Sequence, residues 1–161
     1  MPSVRLATPD DAAIVAALLV EFRNHLGYDW PDDASFLAGV TRLLEDPSTD
    51  YVIGHPSDDA PAAGVVALRF RYGIWRAGDD CLVEDVYVSD TARGSGLGKA
   101  MIEFAIQHAR SRGARRMELD TNETNTAAIG LYEGVGFKNS TAAYEGRDLY
   151  FRLHLDAGKD A

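Results

Sequence analysis

The stretch Val83–Lys99, which reads VEDVYVSDTARGSGLGK, decides how this chain is organised. An apolar run ends in a short polar break, an arginine and three glycines at alternate positions follow, and a helical pattern then begins. This order predicts a β-strand, a glycine-rich loop and a helix N-terminus. Glycines let a backbone approach a bulky anion, and the unpaired N–H groups of a helix start point at it. The stretch therefore predicts an anion-binding loop.

Composition limits the classes of partner. The chain has 161 residues, of which 46% are hydrophobic, and this predicts one domain over 1–155 with a disordered tail at 156–161. A net charge of −9 argues against nucleic acid or an anionic membrane and favours a cationic substrate. With Cys81 as the only cysteine and no apolar run near the roughly 20 residues of a membrane span, we expect a cytoplasmic protein without a disulfide or a metal.

Periodicity predicts the remaining elements of a mixed α/β domain. Apolar residues recur at helical spacing after the proline of the first helix and again after the glycine loop, whereas β-branched and aromatic runs mark the strands. The predicted order is a strand at Val4–Ala7, helices from Pro9 to Gly27 and over Ser35–Leu44, strands at Tyr51–Ile53, Ala63–Tyr72 and Asp80–Ser89, a helix from Leu97 to Gly113, a strand at Arg115–Thr121, a helix at Asn125–Val135, and a closing strand pair at Phe137–Tyr144 and Asp148–Leu155.

The glycine loop alone does not identify the anion, so a second motif is needed. The glycine spacing departs from the dinucleotide fingerprint G-x-G-x-x-G, although Asp120, about 20 residues further on, imitates the ribose-binding acid of that motif. A P-loop is excluded because no G-x-x-x-x-G-K-[ST] occurs. The loop by itself predicts a phosphate ligand without naming it.

Two motifs together resemble the GCN5-related N-acetyltransferase (GNAT) superfamily. Arg93-x-x-Gly96-x-Gly98 is similar to its acetyl-CoA loop, and Asn125-x-x-Ala128-x-x-x-Tyr132-x-x-x-Gly136-Phe137 is similar to its next motif. The resemblance implies a mostly antiparallel, twisted sheet of about seven strands, with a splay between the fourth and fifth, flanked by four helices. It also implies acetyl-CoA as the cofactor and a homodimer as a common state in the resembling branch.

The resemblance assigns cofactor contacts residue by residue. The loop amides would hold the pyrophosphate, the preceding strand would pair with the pantetheine arm, and the next motif would lie near the end of that arm. The residues implied are Arg93, Gly94, Ser95, Gly96, Leu97, Gly98 and Lys99 for the phosphates, Val86, Tyr87 and Val88 for the arm, and Asn125 and Ala128 near its end.

Glu84 is the candidate base. Acyl transfer to an amine needs that amine neutral, which costs an alkylamine roughly 4–5 kcal/mol at pH 7 unless a base assists. On an ideal strand Glu84 shares a face with Leu82, Val86 and Val88, so we expect apolar surroundings, with Asp85 on the other face. The competing interpretation is an acid paired with an arginine of a neighbouring strand, such as Arg69.

Tyr132 is the candidate acid for the CoA thiolate, a role that the resemblance implies, and packing of a short helix is its alternative role. Cys81 offers a different mechanism through an acyl-cysteine, but strand parity puts it on the opposite face from Glu84 and no histidine adjoins it in sequence. A bulge in this strand would break the parity argument. We therefore expect Cys81 to be an inert, buried thiol.

The acceptor is predicted to be a small cationic primary amine. The segment Leu82–Val88 resembles the Glu-Asp strand of the polyamine (spermidine/spermine) and thialysine acetyltransferase branch, where the glutamate contacts the substrate amine. Acids and aromatic rings suit a polyamine, a lysine-like compound or an aminoglycoside. The alternatives are a peptide N-terminus or protein lysine as acceptor, and a regulatory acyl-CoA-binding module that has lost its chemistry. Besides Glu84, the candidate substrate-binding residues are Tyr28, Trp30, Asp120 and Tyr144.

Overall fold

The computed structural model describes residues 1–141 and 143–156. These residues form two compact units, which divide after Leu119. The first unit holds a five-stranded sheet and three helices, and the second holds one helix. The strands are β1 (Ser3–Leu6), β2 (Thr49–His55), β3 (Gly64–Gly73), β4 (Gly78–Val88) and β5 (Arg116–Glu118), and the helices are α1 (Ala12–His25), α2 (Asp33–Leu44), α3 (Leu97–Ser111) and α4 (Thr126–Gly134).

The sheet of the first unit runs in sequence order from β1 to β5. Its first three pairings are antiparallel, whereas β4 and β5 are parallel and are joined through α3. The side chains of α1 and α2 pack with one face of the sheet in a cluster that includes Val15, Val40, Ile53 and Val65. Alternate residues of the strands point to the opposite face, where α3 packs. The first unit therefore has a helix–sheet–helix arrangement.

Two glycines allow α3 to lie close to the sheet. A Cβ built on Gly54 would stand 2.6 Å from the Met101 sulfur, and one on Gly64 would stand 2.6 Å from the methyl carbon of the same methionine. Met101 and Leu97, which both face these glycines, are almost completely buried. Because Leu97 is the first residue of α3, this contact sets the height of the helix start, and of the glycine loop before it, above β2 and β3.

The start of α1 depends on a buried carboxylate. Asp11 ends a single 3-10 turn after Pro9 and accepts two hydrogen bonds from the Arg5 guanidinium, at 2.7 and 2.8 Å. It also accepts the backbone N–H of Thr8 at 2.8 Å. These bonds join β1 to the helix and hold the pKa of Asp11 well below its usual range, mainly through the arginine hydrogen bonds.

The second unit contains α4, and the closing strand pair predicted for it is wrong. The segments 137–141 and 143–156 carry no strand, and the backbone bond found between them joins Asp148 N–H to the Asn139 carbonyl. Apolar side chains alternate along the last segment, but they are exposed, so this segment does not bury one face against a core. Alternation shows that a segment could pair, but a ladder also needs a partner edge. These side chains are Leu149, Phe151, Leu153 and Leu155.

The mixed α/β fold with four helices is confirmed, but the described residues form a sheet of five strands where about seven were expected. Within the described residues, no helix is both long and apolar enough to cross a bilayer. Residues 157–161 of the predicted tail lie outside the described part of the chain, as does Ala142 of the predicted strand at Phe137–Tyr144.

Candidate active site

The glycine loop links the end of β4 to the start of α3. After a 3-10 turn at Asp90–Ala92, Arg93 is extended, and Gly94 and Gly96 then adopt left-handed conformations with φ of +76° and +82°. A Cβ on either glycine would meet no atom within 4 Å, so the loop surface beside them is open. Left-handed residues alternating along a loop turn successive N–H groups to one side, which is the geometry of an anion-binding nest.

The first turn of α3 offers hydrogen-bond donors at the same place. The first i to i−4 bond of the helix runs from Ala100 N–H to the Gly96 carbonyl at 3.0 Å, so the amides of Gly98 and Lys99 precede the intrahelical ladder. The Ser95 hydroxyl donates to the Ala92 carbonyl at 2.6 Å, which braces the loop. Open space, free amides and the positive end of the helix dipole together suit a pyrophosphate group.

The outer edge of β4 is paired for only a short distance. Its ladder with β5 joins Asp80–Leu82 to Arg116–Glu118, and among the described strands the rest of β4 pairs with β3 alone. The backbone of Val86–Val88 therefore has an edge at which an extended chain carrying amides could add like a strand. That segment leads directly into the glycine loop, as an extended arm next to a pyrophosphate requires.

Glu84 occupies a β-bulge. Val83 is paired with Leu68 and Asp85 with Ala67, so Glu84 is the extra residue of β4 at this point. Since paired residues share a face, Val83 lies on the α3 side and Asp85 on the α1 and α2 side, where Ala67 belongs to the core. The bulge thus shifts the alternation of side chains between the two faces of the sheet. Odd-numbered residues of β4 lie on the α3 side before the bulge and on the α1 and α2 side after it.

The surroundings of Glu84 differ from those predicted. Its carboxylate lies 3.6 Å from an Arg69 guanidinium nitrogen, and Arg69 is paired with Leu82, on the α1 and α2 side. The side chain of Glu84 is 43% exposed. The prediction that Glu84 and Asp85 point to opposite faces is wrong, as is the placement of Glu84 among apolar groups on one face with Val86 and Val88. The competing interpretation, an ion pair with Arg69, describes the observed contact.

A buried tyrosine adjoins this acidic pair. Tyr51 of β2 is 3% exposed, and burial, reinforced by the negative charges of Asp85 and Glu84, raises its pKa to about 12. The phenol therefore remains protonated at every physiological pH. Sequence reasoning did not include Tyr51 or Asp85 among the site residues. The register of β2, β3 and β4 brings Tyr51 to this place, and the bulge turns Asp85 to the same side of the sheet as Glu84.

Tyr132 lies in the second unit, in the last turns of α4. Its side chain is 9% exposed and its ring packs edge-on against that of Phe137, with 6.0 Å between the centroids. The chain turns back at Gly136, where φ is +106°, so that Phe137 N–H bonds the Tyr132 carbonyl at 2.9 Å. Burial, and secondly the charge of Asp120, raises the pKa of the Tyr132 phenol. The phenol is therefore held in the protonated form that a proton donor needs.

The other residues of the second motif form the start of α4. The Asn125 side chain caps the helix by accepting the Ala128 N–H at 3.4 Å. The same side chain donates to the Thr121 hydroxyl at 3.5 Å. Asn125 therefore has a structural role at the start of the helix, and a contact with a cofactor stays a prediction.

Cys81 is placed as expected. It is completely buried, and burial raises the pKa of its thiol to about 12, so it is not a thiolate at neutral pH. It is paired with Phe70, on the α3 side of the sheet, whereas Glu84 contacts Arg69 on the other side. In the described part of the chain, no group of three or more His, Cys, Asp or Glu side chains could hold a metal ion.

The predicted substrate-binding residues are divided between the two units. Tyr28 and Trp30 lie in the loop between α1 and α2, with side chains about half exposed. Asp120 and Tyr144 belong to the second unit and are exposed. A role in binding the acceptor stays a prediction for all four.

One residue beside the glycine loop was missed. His25, which is not among the predicted site residues, ends α1 and lies 3.2 Å from a guanidinium nitrogen of Arg93. The two residues are 68 positions apart, and nothing in the local sequence of either one signals the contact.

Comparisons with known proteins identify the family to which this chain belongs. The family described as "Acetyltransferase (GNAT) family" matches residues 13–137. An aminoglycoside N(6')-acetyltransferase type 1 from Stenotrophomonas maltophilia is 28% identical over 96% of this chain and 95% of its own length. An aminoalkylphosphonate N-acetyltransferase from Salmonella typhimurium is 28% identical over 85% of each chain.

Solved structures agree. A protein of Arthrobacter sp. FB24 that is assigned to the acetyltransferases has a TM-score of 0.85 and is 29% identical, over 95% of this chain and 96% of its own. An aminoglycoside acetyltransferase from a soil metagenome, solved with sisomicin, shares the fold with a TM-score of 0.76 at 13% identity, over 96% of this chain and 97% of its own. The chain is a member of the GNAT acetyltransferase family, an enzyme that uses acetyl-CoA as its acetyl donor.

Proposed function

We propose that this enzyme transfers acetyl directly from acetyl-CoA to a primary amine of a small cationic substrate, of the aminoglycoside, polyamine or lysine-like type. The observation that carries the proposal is the bulge at Glu84, which puts the carboxylates of Glu84 and Asp85 on the same side of β4. Two adjacent acids attract an ammonium group and oppose an anionic acceptor. The relatives that act on aminoglycosides support this class of acceptor.

The proposed cofactor contacts all lie along β4, the glycine loop and α4. Bound acetyl-CoA supplies an activated acetyl thioester. In the proposal, the amides from Gly94 to Lys99 with the Arg93 side chain hold its phosphates, and the backbone of Val86–Val88 pairs with its pantetheine arm. Asn125 and Ala128 lie near the end of that arm. The free amides at the start of α3 and the unpaired edge of β4 support these contacts.

Glu84 is proposed to accept the proton of the ammonium group, directly or through a water. Its partner Arg69 is 35% exposed and lies 3.6 Å away, and such half-exposed ion pairs contribute only about 0–1 kcal/mol. An incoming ammonium can replace the guanidinium at little cost.

Tyr132 is proposed to donate a proton to the leaving thiolate. The raised pKa of its buried phenol keeps the proton on the oxygen until a strong acceptor arrives. A thiolate with a pKa of about 8–9 is such an acceptor only when it lies within hydrogen-bond reach.

The test is a CoA-release assay with wild-type enzyme, acetyl-CoA and a panel of acceptors. The panel contains an aminoglycoside, spermidine, lysine, an aminoalkylphosphonate and two peptides. One peptide has a free N-terminus, and the other has an acetylated N-terminus and a free lysine side chain. Turnover with the small cations and little with the peptides supports the proposal. Preference for a peptide would favour the protein acetyltransferase alternative. Tight acetyl-CoA binding without turnover on any amine would indicate the regulatory module and overturn the enzymatic proposal.

A further inference from the structure

The last turns of α1 contact the end of β4 and the glycine loop through three side chains. Glu21 accepts a hydrogen bond from the Ser89 hydroxyl at 2.9 Å. Phe22 stacks on Tyr87 with 5.0 Å between the ring centroids. His25, one turn further along the helix, contacts Arg93 of the glycine loop. The helix therefore braces the strand, its terminus and the loop one after another.

Arg93 is held on several sides by this arrangement. One guanidinium nitrogen bonds the Asp90 carboxylate at 2.8 Å, and a second lies 3.2 Å from His25 Nε2. Its Nε donates to the Val88 carbonyl at 3.4 Å. Because a guanidinium can only donate, Nε2 of His25 must accept, and the ring proton is then on Nδ1, 3.9 Å from Asp90.

We propose that His25 is a positioning residue for Arg93: by accepting its hydrogen bond, neutral His25 holds the guanidinium in the orientation that binds the cofactor's phosphates. This inference rests on the proposed phosphate contact of Arg93. An arginine fixed before binding loses less side-chain entropy when an anion arrives than one that is free to rotate. His25 thus strengthens acetyl-CoA binding without touching the reacting atoms.

The contact also makes cofactor binding depend on pH. A protonated imidazole cannot accept from Arg93, and it places a second cation beside the guanidinium while competing for Asp90. The charged and titratable groups around the ring are Glu21 on α1, Tyr87 on β4, and Asp90 and Arg93 in the loop. Acidification releases Arg93 from α1, and the affinity for acetyl-CoA falls.

The test is a double-mutant cycle on the full chain, with the dissociation constant of acetyl-CoA measured by calorimetry at pH 8. His25→Ala should weaken binding about 3- to 10-fold, as expected for one exposed hydrogen bond that acts on the cofactor only through Arg93, and Arg93→Ala about 10- to 100-fold. If His25 acts through Arg93, the double variant binds no more weakly than Arg93→Ala alone. Asn24→Ala, in the same turn of α1 but bonded to Arg23, is the control and should bind like wild type.

A glutamine at position 25 distinguishes positioning from mere structural support. His25→Gln keeps an acceptor oxygen and removes the titration, so it should bind within about twofold of wild type at pH 8. From pH 8 to pH 6 the wild-type dissociation constant should rise more steeply than that of His25→Gln, and the comparison cancels any titration of the cofactor itself. Additive losses in the cycle, or identical pH profiles, would overturn the role of His25. An unchanged affinity in Arg93→Ala would instead remove the phosphate contact on which the inference rests.

Discussion

The carboxylate of Glu84 lies 3.6 Å from the guanidinium of Arg69, and Glu84 reaches it because it is the unpaired residue of a bulge in β4. The same bulge sends Asp85 to that side of the sheet, where Ala67 is its paired residue. An insertion of one residue thus gathers two carboxylates and one guanidinium that an ideal strand would divide between two faces.

Glu84→Gln should lower kcat/KM for the amine about a hundredfold at pH 7 and move the pH–rate profile to higher pH, because the substrate must then lose its proton to solvent. The measurement is a pH series with the best acceptor of the panel. Arg69→Gln is the matched control, since it removes the ion pair but keeps the carboxylate. An equal loss in both variants, or an unshifted profile in Glu84→Gln, would exclude Glu84 as the base.

Tyr132→Phe should lower the maximal rate about 10- to 1,000-fold with little change in the acetyl-CoA dissociation constant, because only the phenolic proton is lost and the buried ring remains. Steady-state kinetics and calorimetry give the two quantities. Tyr72→Phe, at an exposed tyrosine of β3, serves as the control. A variant with the wild-type rate would leave Tyr132 with the packing role alone.

Gly94→Ala and Gly113→Ala should separate backbone strain from cofactor binding. Both glycines have positive φ, +76° and +84°, and both have open space around a new Cβ, so each substitution should cost about 1–2 kcal/mol of stability. Gly94 lies in the loop and Gly113 follows the far end of α3, so only Gly94→Ala should also weaken acetyl-CoA binding. Denaturant unfolding and calorimetry measure the two effects. Equal affinities would argue against the loop as the phosphate site.

Gly54→Ala should destabilise the protein by about 1–3 kcal/mol, because the new Cβ would stand 2.6 Å from the buried sulfur of Met101. Gly39→Ala is its counterpart within α2, where a Cβ meets nothing within 4 Å and the gain in helix propensity is about 1 kcal/mol. Urea unfolding of the two variants should therefore give changes of opposite sign. A neutral Gly54→Ala would mean that α3 can move away from the sheet.

Asp11→Asn should cost about 1–3 kcal/mol at pH 7, because the Arg5 guanidinium loses its charged acceptor. The pKa of Asp11 is lower in the folded state than the ordinary value near 3.9, so its contribution is fully present above that value and is lost as pH falls below it. The difference in unfolding free energy between wild type and variant should then shrink from pH 7 to pH 2. A difference independent of pH would show that the charge of Asp11 adds nothing.

Short segments of the sequence were sufficient to predict most helices and strands and to identify the family. The glycine spacing, the helix caps and the change from helical to alternating period are properties of short segments, and they were enough to place four helices and the strands of the first unit within a few residues. Two short motifs, one in each unit, were enough to predict the cofactor through the resemblance to the family. The alternation in Asp148–Leu155 was equally clear, yet no strand forms there, because a period describes one segment and a ladder needs two.

The sequence by itself determined the loop, the helix that follows it and the type of ligand that such a junction binds, because these depend on backbone conformations that neighbouring residues dictate. Only the tertiary structure decided that Glu84 sits in a bulge facing Arg69, that Asp85 points to the same side with Tyr51 nearby, and that His25 contacts Arg93. These relations depend on strand register and on helix placement. Both are set by the packing of segments far apart in the chain, so no local period reports them.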